Sequence, residues 1–324
     1  MKLLVFGGTR FLGRAVVECA LQHGHAVTLF NRGHTNPDLF PEAEKLRGDR
    51  EGNLDALRGR DWEAAVDPSG YVPSTVRRSS EALADAVGHY VFISSVSVYA
   101  DFSGPLREGD ALASLDPEHS AEELREDYAN YGPLKALCEE VVAEVFPGRH
   151  ANVRAGLLVG PHDPTGRFTY WPHRVARGGD VLAPAPPDQT VQFIDVRDLG
   201  AWIVDLCEHH TEGTFNATHP GVAWGELLDA CRRVANAAAR AVWVPDSFLI
   251  EQGVGEWMEL PLWIGDPQWR GLHEADVSRA LASGLTFRSL DETVQGAFAH
   301  ADPTADAGLP SEREAELLEA WLNR

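Results

Sequence analysis

The residues best suited to chemistry lie in Tyr131-Gly-Pro-Leu-Lys135 and in Ile93-Ser94-Ser95-Val96-Ser97-Val98-Tyr99. On a helix, a four-residue spacing puts the Tyr131 and Lys135 side chains on one face. Pro133 suits the first turn of that helix, where its missing N–H matters little. An ammonium beside a phenol favours phenolate, so the pair predicts a Tyr131 pKa drawn down from about 10 towards the working pH. A tyrosine tuned in this way exchanges a proton with a carbinol oxygen during hydride transfer. Ser95 adds a hydroxyl for the same oxygen, and Lys135 also suits a nicotinamide ribose. The chain has six tyrosines and three lysines. Chance would supply about 0.06 such pairs, so the spacing carries weight. The plain alternatives are Lys135 bridged to Glu139 on a helix surface, and serines that merely cap a strand end.

A second group of residues suits phosphate. Gly7-Gly8-Thr9-Arg10-Phe11-Leu12-Gly13 joins an apolar run, Lys2–Phe6, to an amphipathic one. Gly7 permits a tight turn, and Gly13 lets a helix approach a sheet. The backbone N–H groups of Thr9, Phe11 and Leu12 then face a pyrophosphate at the helix N-terminus. Arg10 occupies a position where the G-x-x-G-x-x-G pattern has glycine, and its guanidinium suits phosphate from above. Asn31-Arg32 ends the second apolar run. An acid at Asn31 would hold both ribose hydroxyls of NAD; a neutral residue followed by Arg32 predicts NADP instead, with NAD as the other cofactor. Asp49 is a candidate acceptor for adenine, or else a turn aspartate. Ser94 is placed beside the cofactor with Ser95.

These residues need a frame, and the pattern supplies one. Strands are predicted at Lys2–Phe6, Ala26–Phe30, Lys45–Gly48, Trp62–Val66 and Tyr90–Ile93. Helices are predicted at Phe11–His23, 75–87 and Tyr131–Val145. Repeated βα units imply an α/β fold with a parallel, doubly wound Rossmann sheet. Residues 1–155 form the dinucleotide-binding domain, with 191–215 returning to it. Residues 156–324 form mainly a smaller C-terminal substrate lobe, with helices near 226–235, 277–281, 292–300 and 312–322. The acidic stretch 101–127 reads as a solvated loop or as a loop flanking the site. His162, Arg167, Tyr170, Trp171 and Arg174 form a candidate pocket cluster, in which Arg167 and Arg174 suit a diphosphate. Trp257, Trp263 and Trp269 suit either a lid or buried anchors of the small lobe. His209-His210 reads as surface, and no metal-ligand set is legible.

Composition narrows the partners. A net charge of −21 disfavours nucleic acid. Four scattered cysteines without CxxC argue for a reducing compartment. No apolar run reaches the roughly eighteen residues of a membrane span. The expected protein is cytoplasmic, with a small-molecule substrate.

Together these motifs resemble the extended short-chain dehydrogenase/reductase superfamily, the NAD-dependent epimerase/dehydratase family, in a divergent branch marked by Gly7–Gly13. The likeness spans nearly the whole chain. It includes the serine strand ending in Val98-Tyr99 and selects Ser95, four residues before Tyr99. It also includes Tyr131-x-x-x-Lys135, Arg154–Pro161, Gln192–Asp198 and Thr214–Asn216. The resemblance implies an oxidoreductase or epimerase acting on a carbinol or ketone, nucleotide sugars included, and a homodimer. Val96-Ser97 stands where sugar 4,6-dehydratases carry Asp-Glu, which excludes that elimination. The Gly-Gly-Thr-Arg-Phe loop is also similar to that of chloroplast stem-loop-binding relatives, so RNA binding is one alternative. A non-catalytic NADP sensor is another.

Overall fold

The computed structural model describes residues 1–301 and 307–324. The first half runs β1 (Lys2–Phe6), α1 (Phe11–Gln22), β2 (Ala26–Asn31), β3 (Glu44–Arg47), β4 (Trp62–Asp67), α2 (Pro73–Leu83), β5 (Val87–Ser95), α3 (Tyr131–Val145) and β6 (His150–Ala155). Strands β1 and β5 are buried along almost their whole length, as strands covered on both faces must be. Their side chains alternate. Leu3 and Val5 face the core shared with α1, while Leu4 and Phe6 face the one shared with α3.

Seven parallel strands lie in the order Gly213–Ala217, β6, β5, β4, β1, β2, β3. This is an α/β Rossmann-like sheet. The order reverses between β1 and β4, which opens a crevice beyond their carboxyl ends. Helix α5 (Val196–His209) packs beside α1 on one face, and α2 and α3 cover the other. The chain thus crosses back to the sheet at Gly213–Ala217.

The helix predicted over 75–87 ends earlier, at Leu83. Val87 is buried and pairs with Trp62 as the first residue of β5, so strand pairing overrides helical periodicity there.

A second core holds Trp171, Trp224, Trp263 and their apolar neighbours. It lies under α4 (Tyr170–Ala176), α6 (Trp224–Ala235) and the strand pair Gly179–Ala185 and Ala239–Pro245. No helix among the described residues is long and apolar enough to cross a membrane.

Candidate functional site

The glycine loop leaves β1 with both Gly7 and Gly8 at positive φ, +82° and +84°. A Cβ on Gly8 would lie 2.7 Å from Leu29 Cδ2, and one on Gly13 would lie 3.1 Å from the Gly8 backbone. A Cβ on Gly7 would meet nothing within 4 Å. The loop is therefore closed towards the protein and open on its outer side. Helix α1 begins there with no side-chain cap and no acid in its first turn, so its first N–H groups keep their affinity for an anion. A cleft of about 410 Å³ adjoins it, lined by Thr9, Arg10, Phe11, Arg14, Thr35 and Asn36, with His162 and His300 from the second half of the chain. Loop and helix end fit a dinucleotide pyrophosphate. A larger groove of about 810 Å³ beside α2 contains none of the predicted site residues.

Asn31 is placed differently from the expectation. Its Nδ2 donates to Gly7 O at 2.7 Å, and its Oδ1 accepts from Gly33 N at 2.9 Å and from Arg47. The carboxamide braces the glycine loop rather than pointing to a ligand. Arg32 is exposed and forms no ion pair among the described residues. Arg47, at the end of β3, brings a second guanidinium against Gly33, a residue the motif did not flag. Asp49 accepts from Glu51 N at 3.1 Å and closes a turn, which matches the plainer of its two readings. Thr9 Oγ1 donates to Thr35 O at 2.8 Å and ties the two loops together.

Tyr131 is the first residue of α3, and Lys135 lies one turn further, 2% exposed. Lys135 Nζ donates to Gly70 O at 2.7 Å and Ile93 O at 2.5 Å, and sits 4.3 Å from the Phe92 ring centroid. Glu139 is taken by Arg154 through a buried two-pronged pair, with Nη2 2.7 Å from Oε2. The surface bridge between Lys135 and Glu139 is thereby excluded. Ser95 ends β5 close to the Tyr131 phenol and eases its ionisation. The Ser95 Oγ donates to Ser97 Oγ at 3.0 Å. The Ser94 hydroxyl is buried with no hydrogen-bond partner among the described residues.

The sequence predicted a lowered Tyr131 pKa. The structure overturns this, because burial pushes the phenol up to about 12, helped by neighbouring Tyr71 and only partly opposed by Ser95. The Lys135 ammonium is itself destabilised by burial, which brings its pKa down to about 8. Tyr131 is therefore a neutral proton donor at rest. Lys135 binds protons less readily folded than unfolded, so its contribution to stability rises with pH between about 8 and 10.5. Its charge, and any function needing that charge, is lost as pH rises through about 8.

Two residues near Tyr131 escaped the sequence reading. Asn130 is fully buried; its Nδ2 donates to Glu123 O at 2.8 Å and its Oδ1 accepts from Arg125 N at 3.0 Å. It hooks the end of the acidic loop to the start of α3. A Cβ on Gly132 would fall 2.0 Å from Ser97 O. That close approach sets Tyr131 against the serine strand, a distance no local spacing encodes. Gly132→Ala is expected to lower stability by about 1–3 kcal/mol, as overpacking does, and to reduce turnover at least about tenfold. Chemical denaturation and initial rates check both.

The candidate pocket cluster splits. Trp171 is buried and donates to Pro261 O, and Arg174 is buried against Glu314. Both are structural, and the expectation that Arg174 serves a diphosphate is corrected. Arg167 differs. Its Nε donates to Thr165 Oγ1 at 3.2 Å, it lies 5.1 Å from the Trp257 ring, and it interacts electrostatically with Asp163 and then Tyr131. Trp263 is a buried anchor, while Trp269 stays exposed and stacks on Phe102. His209 and His210 are exposed, as expected, and His210 stacks on buried His89 at 5.6 Å.

The fold built around this site is shared with solved structures. UDP-glucuronic acid 4-epimerase from Bacillus cereus, in complex with NAD, superposes with a TM-score of 0.65 at 15% identity, covering 93% of this chain and 98% of its own. The UDP-Glc/GlcNAc 4-epimerase of Campylobacter jejuni gives 0.66 at 15%, covering 92% and 98%. The chain has the Rossmann-like α/β fold of these structures. No family model matches it. Curated relatives include the epimerase family protein SDR39U1 of Bos taurus, 25% identical over 278 residues, 78% of this chain and 86% of the relative. A second is the chloroplast stem-loop binding protein of 41 kDa b of Arabidopsis thaliana, 23% identical over 269 residues, 77% of this chain and 65% of the relative.

Proposed function

We propose that the chain is an NAD(P)-dependent oxidoreductase or epimerase acting on a carbinol or ketone of a small molecule, nucleotide sugars included. The observation that carries this reading is the Tyr131 phenol beside Ser95, one helical turn from buried Lys135. A bound nicotinamide dinucleotide supplies the hydride donor or acceptor. Tyr131 and Ser95 hold the substrate oxygen, and Tyr131 moves its proton. Lys135 has three N–H donors, two of them on Gly70 and Ile93. The third suits a ribose hydroxyl, and its charge helps the phenol ionise. Arg167, backed by Trp257, suits an anionic part of the substrate.

The neutral resting phenol favours donation to a carbonyl, the reductive direction. Catalysis is expected to decline above about pH 8, where Lys135 loses its charge, and a pH–rate profile of kcat/KM checks this. Lys135→Arg, whose guanidinium stays charged, should remove that limb from whatever activity remains.

Arg32 and Arg47 flank the end of β2 and favour NADP over NAD, although the solved neighbours named above include an NAD complex. Arg32→Glu is expected to weaken NADP at least about tenfold relative to NAD in a fluorescence titration. Equal affinity of the parent chain for both nucleotides would remove the preference. Mass spectrometry of the copurifying nucleotide, followed by turnover of ketones and nucleotide sugars, tests the whole reading.

RNA binding is a second reading, favoured by the relative whose name records stem-loop binding and opposed by the net charge of −21. Tight, salt-sensitive retention of RNA in a filter assay would favour it. Tight nucleotide binding with no turnover across the substrate panel would favour a sensor.

A further inference from the structure

We propose that His23, His25 and Glu208 form a binding site for a divalent transition-metal ion of the zinc type. His23 follows α1, His25 precedes β2, and Glu208 lies in the last turn of α5. His23 Nδ1 is 3.1 Å and His25 Nε2 2.6 Å from the same carboxylate oxygen, Glu208 Oε1. The three ligand atoms lie within 4.8 Å of one another. Zinc bonds of about 2.05 Å in a tetrahedron place ligand atoms about 3.3 Å apart. An ion therefore enters by rotation of three side chains, with no backbone movement.

The donor set fixes the class of ion. Two imidazoles and one carboxylate suit zinc, nickel or copper better than magnesium or calcium, which prefer all-oxygen shells. Three protein ligands leave one position for water. The second nitrogen of His23 is also engaged, with Cys19 Sγ 3.9 Å from Nε2, and such an outer contact fixes the ring plane. His25 is the most enclosed ligand, with 11% of its side chain exposed against 29% for Glu208 and 49% for His23. The strongly acidic chain also draws cations towards its surface.

The site lies at the amino ends of the strands, whereas the glycine loop and Ser95 lie at the carboxyl ends. A bound ion would clamp α1 to α5, which already pack together. It is thus a structural clamp, independent of the redox reading.

The test titrates Zn²⁺ into the untagged full-length chain, stripped by a chelator, in competition with a chromophoric chelator. One tight equivalent is expected, with a melting temperature that rises until the site saturates. His25→Gln and Glu208→Gln should each weaken binding at least about tenfold and abolish that rise, without altering nucleotide affinity. His23→Gln, at the most exposed ligand, gives the same reading should the others disturb folding. Asp205 and His209 form a neighbouring, more exposed group with Glu208. Asp205→Asn and His209→Gln should leave affinity within about twofold. Undiminished binding in the His25, His23 and Glu208 variants, or no saturable binding by the parent chain, would overturn the proposal.

Discussion

Tyr131→Phe is expected to lower turnover by roughly 10²–10⁴-fold, the usual contribution of a positioned acid or base. The variant removes the phenolic oxygen and keeps the ring, which packs 6.3 Å from Tyr71 and 6.4 Å from Tyr128 between centroids. Stability should change little, and nucleotide affinity should stay within about twofold, since the glycine loop is untouched. Single-turnover rates beside a nucleotide titration separate the two effects. Loss of nucleotide binding together with turnover would mean that Tyr131 organises the fold rather than the proton. Unchanged turnover would end the assignment of Tyr131 as acid or base.

Asp67→Ala should have the largest effect on stability, about 3–5 kcal/mol, because it strands a buried guanidinium. Asp67 is fully buried and accepts from Arg50 Nη1 and Nη2 at 2.8 and 2.7 Å, and from Tyr90 Oη at 3.0 Å. The adjacent guanidinium holds the Asp67 carboxyl below its ordinary value despite burial. Its contribution is therefore present above the unfolded pKa of about 3.9 and is lost as pH falls through the folded value. Urea unfolding at neutral pH measures the loss. A second effect reaches the site. Asp67 helps keep Lys135 protonated, so a variant that still folds should show its alkaline limb below pH 8. An unshifted limb would mean that Asp67 is structural only.

Some of this was visible in local pattern. Gly7–Gly13 between a strand and a helix, and Tyr131 four residues before Lys135, are short-range features with direct geometric meaning. The alternating βα units likewise led to the parallel sheet. Other features depended on residues far apart in sequence. Asn31 was expected to bind the cofactor, but its side chain braces Gly7, and Arg47 and Gly33 occupy its oxygen. Arg174 was expected at a diphosphate but meets Glu314, 140 residues away. His25 and Glu208 are 183 residues apart, so no spacing rule could have joined them.

The sequence by itself determined the order of elements, the turn that can receive a pyrophosphate and the helix face shared by a phenol and an ammonium. These follow from backbone sterics and from periods of about two and 3.6 residues, which act over a few positions. Tertiary structure alone decided the proton affinities at that face. Tyr131 is pushed up to about 12 and Lys135 down to about 8, opposite to the expectation for the phenol. The reason is desolvation. The penalty for a charge depends on what packs around it, and here that is Phe92, Tyr71 and the carbonyls of Gly70 and Ile93, brought together only when the sheet closes beneath α3.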